Sequence, residues 1–227
     1  MEWLFWILAI IVAIGAAALS FYLKQRRRQG FAAIARQLGL EFFAEDPFGL
    51  MGLPFRLFQR GKGRGVENVL WGEWQGIGIT LFDYWFYEES ADSKGARSRT
   101  YHRFQCAVTE VAAACSPLSI ERENVLARLA DGLGFTDIQF ESEEFNRAFT
   151  VRAGDRKFAN DFVDPRMMRW LLGAGEGFTY EACGKWLLTS CTRLQPIEIV
   201  PLLGTAKAFR EQVPRVVYAL YGTSVAG

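Results

Sequence analysis

The stretch Trp3–Leu23, WLFWILAIIVAIGAAALSFYL, carries no charged side chain, and nothing else in the chain limits the fold so strongly. As a helix rising 1.5 Å per residue it measures about 30 Å, the thickness of one bilayer hydrocarbon core. Trp3 and Trp6 stand at one end and Tyr22 at the other, which suits the two headgroup regions where amphipathic rings settle. A secretory signal would place its positive charge before a shorter apolar run. Here Glu2 precedes the run and KQRRR follows it, so residues 1–28 read as an uncleaved transmembrane anchor with a basic flank. Lys24, Arg26, Arg27 and Arg28 keep that flank on the cytoplasmic side. The expected location is the cell inner (plasma) membrane, N-terminus outside and domain cytoplasmic. The same four side chains are candidate contacts for anionic lipid. In AIGAAALS, residues 13–20, small side chains permit close helix approach, hence a membrane-protein partner or self-association through that face.

The region beyond the anchor is apolar enough to fold. Of the 227 residues, 50% are hydrophobic and the formal net charge is +1, so no global basic field is available for nucleic acid, and none is expected as a partner. Cys106, Cys115, Cys183 and Cys191 contain no C-x-x-C pair, which argues against a zinc or redox site and fits free thiols in a reducing compartment. Helical spacing of Phe31, Ile34, Ala35 and Leu38, stopped by Gly39, predicts a short helix that opens the domain. GKGRG at 61–65 lacks the spacing of a phosphate loop. Two runs of strand character come after it, Val69–Trp74 and Ile77–Tyr87, and predict a hairpin.

In ITLFDYWFYEES, residues 79–90, period-two alternation puts Ile79, Leu81, Asp83, Trp85 and Tyr87 on one face. A polar loop, Glu88–Arg99, leads to a second strand whose His102, Phe104, Cys106 and Val108 share a face. With the loop centred near residues 92 and 93, Asp83 falls opposite His102, and the two are expected to form a buried polar pair. A Cys106–His102 catalytic couple is excluded by spacing, since four strand residues span about 13 Å.

Beyond residue 117 the pattern predicts a helix capped by Ser119 with an apolar stripe of Val125, Leu126 and Leu129. Strands at Asp137–Phe140 and Arg147–Ala153 come next, then helical pieces with Pro165 in a first turn. Gly184-Lys185 within FTYEACGKWLLTSC predicts a hairpin, and Ile199–Gln212 a helix. The fold class is α+β: an antiparallel sheet with packed helices, divided into a β-rich first half, 29–117, and an α+β second half, 118–227. Both halves open with a helix ending in Leu-Gly before an acidic aromatic strand, so the halves are candidates for a duplicated unit.

The segment 140–172, with Phe140, Glu141, Glu144 and Phe145, then Phe149 and Val151, then Asp155 and the helix motif around Pro165, resembles one in an uncharacterised family of bacterial single-pass membrane-anchored proteins with a domain of unknown function. That resemblance implies a bacterial origin and no activity or catalytic residue. Glu141, Glu143, Glu144, Asp155, Asp161 and Asp164 offer a hard-cation or acid-pair reading, but DRKFAND interleaves basic residues as a salt-bridged surface does. No cofactor, metal or catalytic residue is assigned. The expected role is a membrane-tethered cytoplasmic binding or scaffold domain. The alternative is a membrane-anchored, hydrolase-like enzyme using the acidic residues or His102.

Overall fold

In a computed structural model, residues 2–91, 97–122 and 136–223 are described. The fold is α+β, with an N-terminal apolar helix, an antiparallel sheet and several packed helices. Helix α1 (Glu2–Leu38) is continuous. The anticipated membrane run and the separate helix at 31–38 are one rod, because no proline or glycine pair interrupts KQRRRQGFAAIARQL and every residue favours or tolerates the helix.

Strands β1 (Glu41–Glu45), β2 (Gly63–Trp74), β3 (Ile77–Ala91) and β4 (Arg97–Arg122) form an antiparallel meander. Gln75 and Gly76, both at positive φ, make the two-residue turn between β2 and β3, the left-handed geometry that matches strand twist. The predicted polar loop is mostly strand, since β3 and β4 remain paired out to Ala91 and Arg97.

The division at 117/118 falls inside β4, whose later part pairs with β6 (Phe149–Ala153), itself paired with the edge strand β5 (Thr136–Ile138). Ser119 is therefore a buried strand residue, not a helix cap. The helix predicted around Val125–Leu129 lies outside the described residues. Strand β7 (Phe178–Thr192) corrects the hairpin expected at Gly184-Lys185: it runs on without reversal, pairing with β4 from Phe104 to Ile120. Gly184, at φ 57, sits at a break in that register, so its left-handed backbone makes a bulge instead of a turn.

Short helices α2 (Glu143–Ala148), α3 (Arg156–Phe162) and α4 (Pro165–Gly173) are capped by Ser142, Asp155 and Asp164. Two of the acids weighed as cation ligands thus accept backbone N–H groups at helix starts. Asp161 accepts from Lys157 and Tyr221.

Helix α5 (Ile199–Gln212) matches its predicted bounds and precedes α6 (Arg215–Tyr221). On one sheet face, Phe31 and Ala35 of α1 and Ile199, Leu202, Leu203 and Ala206 of α5 pack over Leu70, Ile79 and Leu81. On the opposite face, segment 46–60 lays Phe55 and Phe58 over Phe82, Tyr84 and Phe86. A third cluster joins α3, α4 and Phe209 of α5 to β6 and Tyr180. Because α5 contributes to two clusters, the halves are packed together.

Candidate functional site

Asp83, the lone acid on an apolar strand face, finds its partner in the helix. The Arg27 guanidinium donates from Nε to Oδ2 at 2.6 Å and from Nη2 to Oδ1 at 2.7 Å, and from Nη1 to the Leu194 carbonyl at 2.8 Å. This is the two-pronged geometry that a planar guanidinium offers a carboxylate. Asn68 donates to Asp83 at 2.9 Å, Gln105 at 3.3 Å and Arg193 at 3.4 Å. Asn68 reaches it because the chain bulges between Glu67 and Leu70, with Asn68 at φ 57, a conformation Asn tolerates better than most residues. Lys24 adds an ion pair to Glu67 at 2.9 Å. Gly30 lets Pro196 approach α1 closely; a Cβ there would lie 3.0 Å from the proline Cγ.

The expected Asp83–His102 pair is therefore corrected. Asp83 sits opposite Gln105, three positions from His102, and an odd slip of register moves a side chain to the other face. His102 stacks on Phe86, ring centroids 4.8 Å apart, with Nε2 3.5 Å from Glu88. The lipid reading of the basic flank is corrected in part: Arg27 is spent on Asp83 with its side chain 11% exposed, and Lys24 reaches Glu67. Arg26 remains exposed and Arg28 half-buried. The signal available in the sequence was the helical spacing of Arg27, Phe31, Ala35 and Leu38, which puts Arg27 on the stripe that packs.

A second buried acid, Glu181 on β7, lies across the sheet. Its carboxylate accepts the backbone N–H groups of Arg56 at 2.6 Å and Leu57 at 3.1 Å, pinning segment 46–60. Tyr84 donates to the Leu57 carbonyl and Arg56 to Ser119. Burial pushes the Glu181 carboxyl up to about 7; nearby Glu121 adds to this and the two amides oppose it. The Cys106, Cys115 and Cys191 thiols are likewise pushed up by burial, which makes them poor nucleophiles.

At the end of the sheet remote from Asp83, a groove of about 660 Å³ opens beside the β2–β3 turn. Trp71 and Trp186 line it with Thr80 and Val108; Glu41, Glu73 and Glu110 add carboxylates and Arg210 a guanidinium, and Lys185 pairs with Glu110 at 3.1 Å. Strand pairing puts Trp71, Thr80 and Val108 on one face. Phe48 packs against Trp71 with ring centroids 5.5 Å apart and planes tilted by 42°, and Phe48, Met51 and Trp71 are exposed. In the sequence Trp71 and Trp186 each look like one more aromatic in a strand, which hides the groove.

No protein-family model and no curated protein matches the chain. A solved structure does: the crystal structure of the mycobacterial trehalose monomycolate transport factor A, TtfA, aligns at TM-score 0.60 over 84% of this chain and 96% of that one, with 14% sequence identity. The likeness is one of fold. It supplies a bacterial structural neighbour, while the resemblance drawn from residues 140–172 gains no family from these comparisons.

Proposed function

We propose that this chain is a non-enzymatic accessory module of a membrane assembly, anchored by α1 in the inner membrane with its N-terminus outside and its domain in the cytoplasm. The carrying observation is the Arg27–Asp83 contact: the segment that leaves the apolar run is bonded to the centre of the sheet, so anchor and domain move as one body. Such a body presents the Trp71–Trp186 groove at a set distance from the bilayer, where a partner in the same membrane is met at high effective concentration. With Glu110 paired to Lys185 and Arg210 also lining the groove, it is Glu41 and Glu73 that favour a partner segment with basic side chains, and the two indoles offer the anchoring surface typical of interfaces. The neighbouring fold belongs to a protein named a transport factor, and a membrane transport assembly is the partner class we infer. Ala13, Ala16, Ala17 and Ser20, spaced i, i+3, i+4 and i+7 on α1, provide a second contact face within the bilayer.

The test is affinity capture of the tagged full chain from native membranes, followed by mass spectrometry. Trp71→Ala with Trp186→Ala is expected to lose a partner that the wild type retains, at unchanged abundance of the bait. Recovery of the same partners from both would overturn the groove reading. High activity of alkaline phosphatase fused to the C-terminus would overturn the orientation.

A further inference from the structure

We propose that the β3–β4 hairpin carries a second, peripheral membrane contact: one face of it, built from Trp85, Tyr87, Tyr101, Arg97, Arg99 and Arg103, rests on the headgroups of anionic lipid beside the exit of α1. The inference rests on α1 crossing the bilayer.

Alternation assigns the face. Trp85, Tyr87 and Glu89 follow Asp83 on β3, and Arg97, Arg99, Tyr101 and Arg103 precede Gln105 on β4, all on the side to which Arg27 docks. The rings make a continuous shelf, with Trp85 and Tyr101 centroids 6.0 Å apart and Tyr87 and Tyr101 5.5 Å apart. Arg99 lies over Tyr87 at 4.7 Å and Arg103 over Tyr101 at 5.8 Å. The glycines of GKGRG are part of this construction. A Cβ on Gly65 would fall 2.8 Å from the Trp85 ring, and one on Gly63 would fall 2.2 Å from the Tyr87 ring. The motif that resembles a phosphate loop in writing is thus the bed on which two aromatic side chains lie flat. Among the described residues beyond Asp83, the acid on this face is Glu89, which is bonded to Arg99 at 3.0 Å and Lys62 at 3.3 Å, so the face stays cationic.

Its position follows from the direction of docking. Phe31 and Ala35 pack with Leu81 and Ile79, and Arg27 meets Asp83, so moving toward the membrane run on α1 means moving from Asp83 toward Tyr87 on β3. The strand advances about 13 Å from Asp83 to Tyr87 and the helix about 6 Å from Arg27 to Leu23. The shelf therefore comes level with the end of the apolar run for crossing angles up to about 60°. Tyr101 is 49% exposed there, and residues 3–26 of α1 are exposed. Indole and phenol rings flanked by arginine match the chemistry of the headgroup layer, and basic side chains are drawn to an anionic lipid surface.

The full chain is reconstituted in nanodiscs of phosphatidylcholine alone or mixed with phosphatidylglycerol. A photocrosslinking phenylalanine is placed at Tyr101, at Trp71 as a remote exposed site, or at Trp6 to report insertion of α1. Lipid adducts at Tyr101 should exceed those at Trp71 several-fold, should increase with phosphatidylglycerol, and should fall several-fold in Arg97→Glu/Arg103→Glu. Adducts at Trp6 without adducts at Tyr101 overturn the shelf while leaving the anchor intact. Equal adducts at Tyr101 and Trp71, or an Arg97→Glu/Arg103→Glu variant that labels as the wild type does, overturn it as well. Loss of the groove's partner through Trp71→Ala with Trp186→Ala leaves these adducts unchanged, which separates this test from that of the proposed function.

Discussion

Asp83 and Glu181 are both buried carboxylates of one sheet, and they are satisfied by opposite means. Asp83 is held by the formal charges of Arg27 and Arg193 and by two amide side chains. Glu181 has two backbone N–H groups of segment 46–60 as its bonded partners. The first arrangement ties a distant helix to the sheet, with charges that must all be present together. The second ties down a local cover, and it leaves the acid's proton affinity raised toward about 7. Placement by charge is costly to break, and placement by dipoles is adjustable by pH.

Breaking the first arrangement is expected to have the largest effect. Asp83→Ala strands the buried Arg27 guanidinium and leaves Arg193 with Glu67 at 3.9 Å, and denaturant unfolding of the full chain in detergent should show a loss of about 3–5 kcal/mol, the penalty for an uncompensated buried charge. A loss below about 1 kcal/mol would mean that the cluster is solvated and does not hold α1. Glu181→Gln keeps an acceptor for one amide and places an NH₂ against the other, so a loss of about 1–3 kcal/mol is expected near pH 5.

The same variant sharpens the contrast through pH. With its folded value raised from 4.5 to about 7, wild-type Glu181 keeps a proton in the folded state that the unfolded chain gives up. Its stabilising contribution is full below about pH 4.5 and declines as pH rises to about 7. The Glu181→Gln curve should lack that decline, and a wild-type curve rising over the same window would refute the assignment. The smallest effect belongs to His102, which stacks on Phe86 on the other face from Asp83. His102→Ala should cost less than about 1 kcal/mol. Its double-mutant cycle with Asp83→Ala should close to within about 0.5 kcal/mol, as for independent sites.

Apolar alternation was enough to read β3 and the turn into it, and a proline-led apolar stripe was enough to read Ile199–Gln212. The need of Asp83 for a buried partner was legible too, but the partner's identity was not. Pairing with His102 depended on where the strands stop, and GARSRT reads as loop although its later residues continue the ladder, supported by pairs such as Ser90 with Ser98. Arg27 was read as a topology signal because adjacent arginines mask the one whose spacing matches the packed stripe. Gly184-Lys185 misled for a related reason: a left-handed glycine serves a turn and a bulge equally well, and the long partner strand β4 decided between them. The groove was illegible because its walls come from β2 and β7, which only the assembled sheet brings together.

The continuity of α1 has a mechanical consequence. A helix of 37 residues is about 55 Å long, and with no swivel at the membrane surface it acts as a lever whose far end is the sheet. A transmembrane helix adjusts its tilt to the thickness of the surrounding hydrocarbon. With α1 crossing the bilayer as proposed, that tilt would rotate a domain clamped at Arg27 and swing the Trp71–Trp186 groove through an arc, so bilayer thickness would set the groove's height above the membrane.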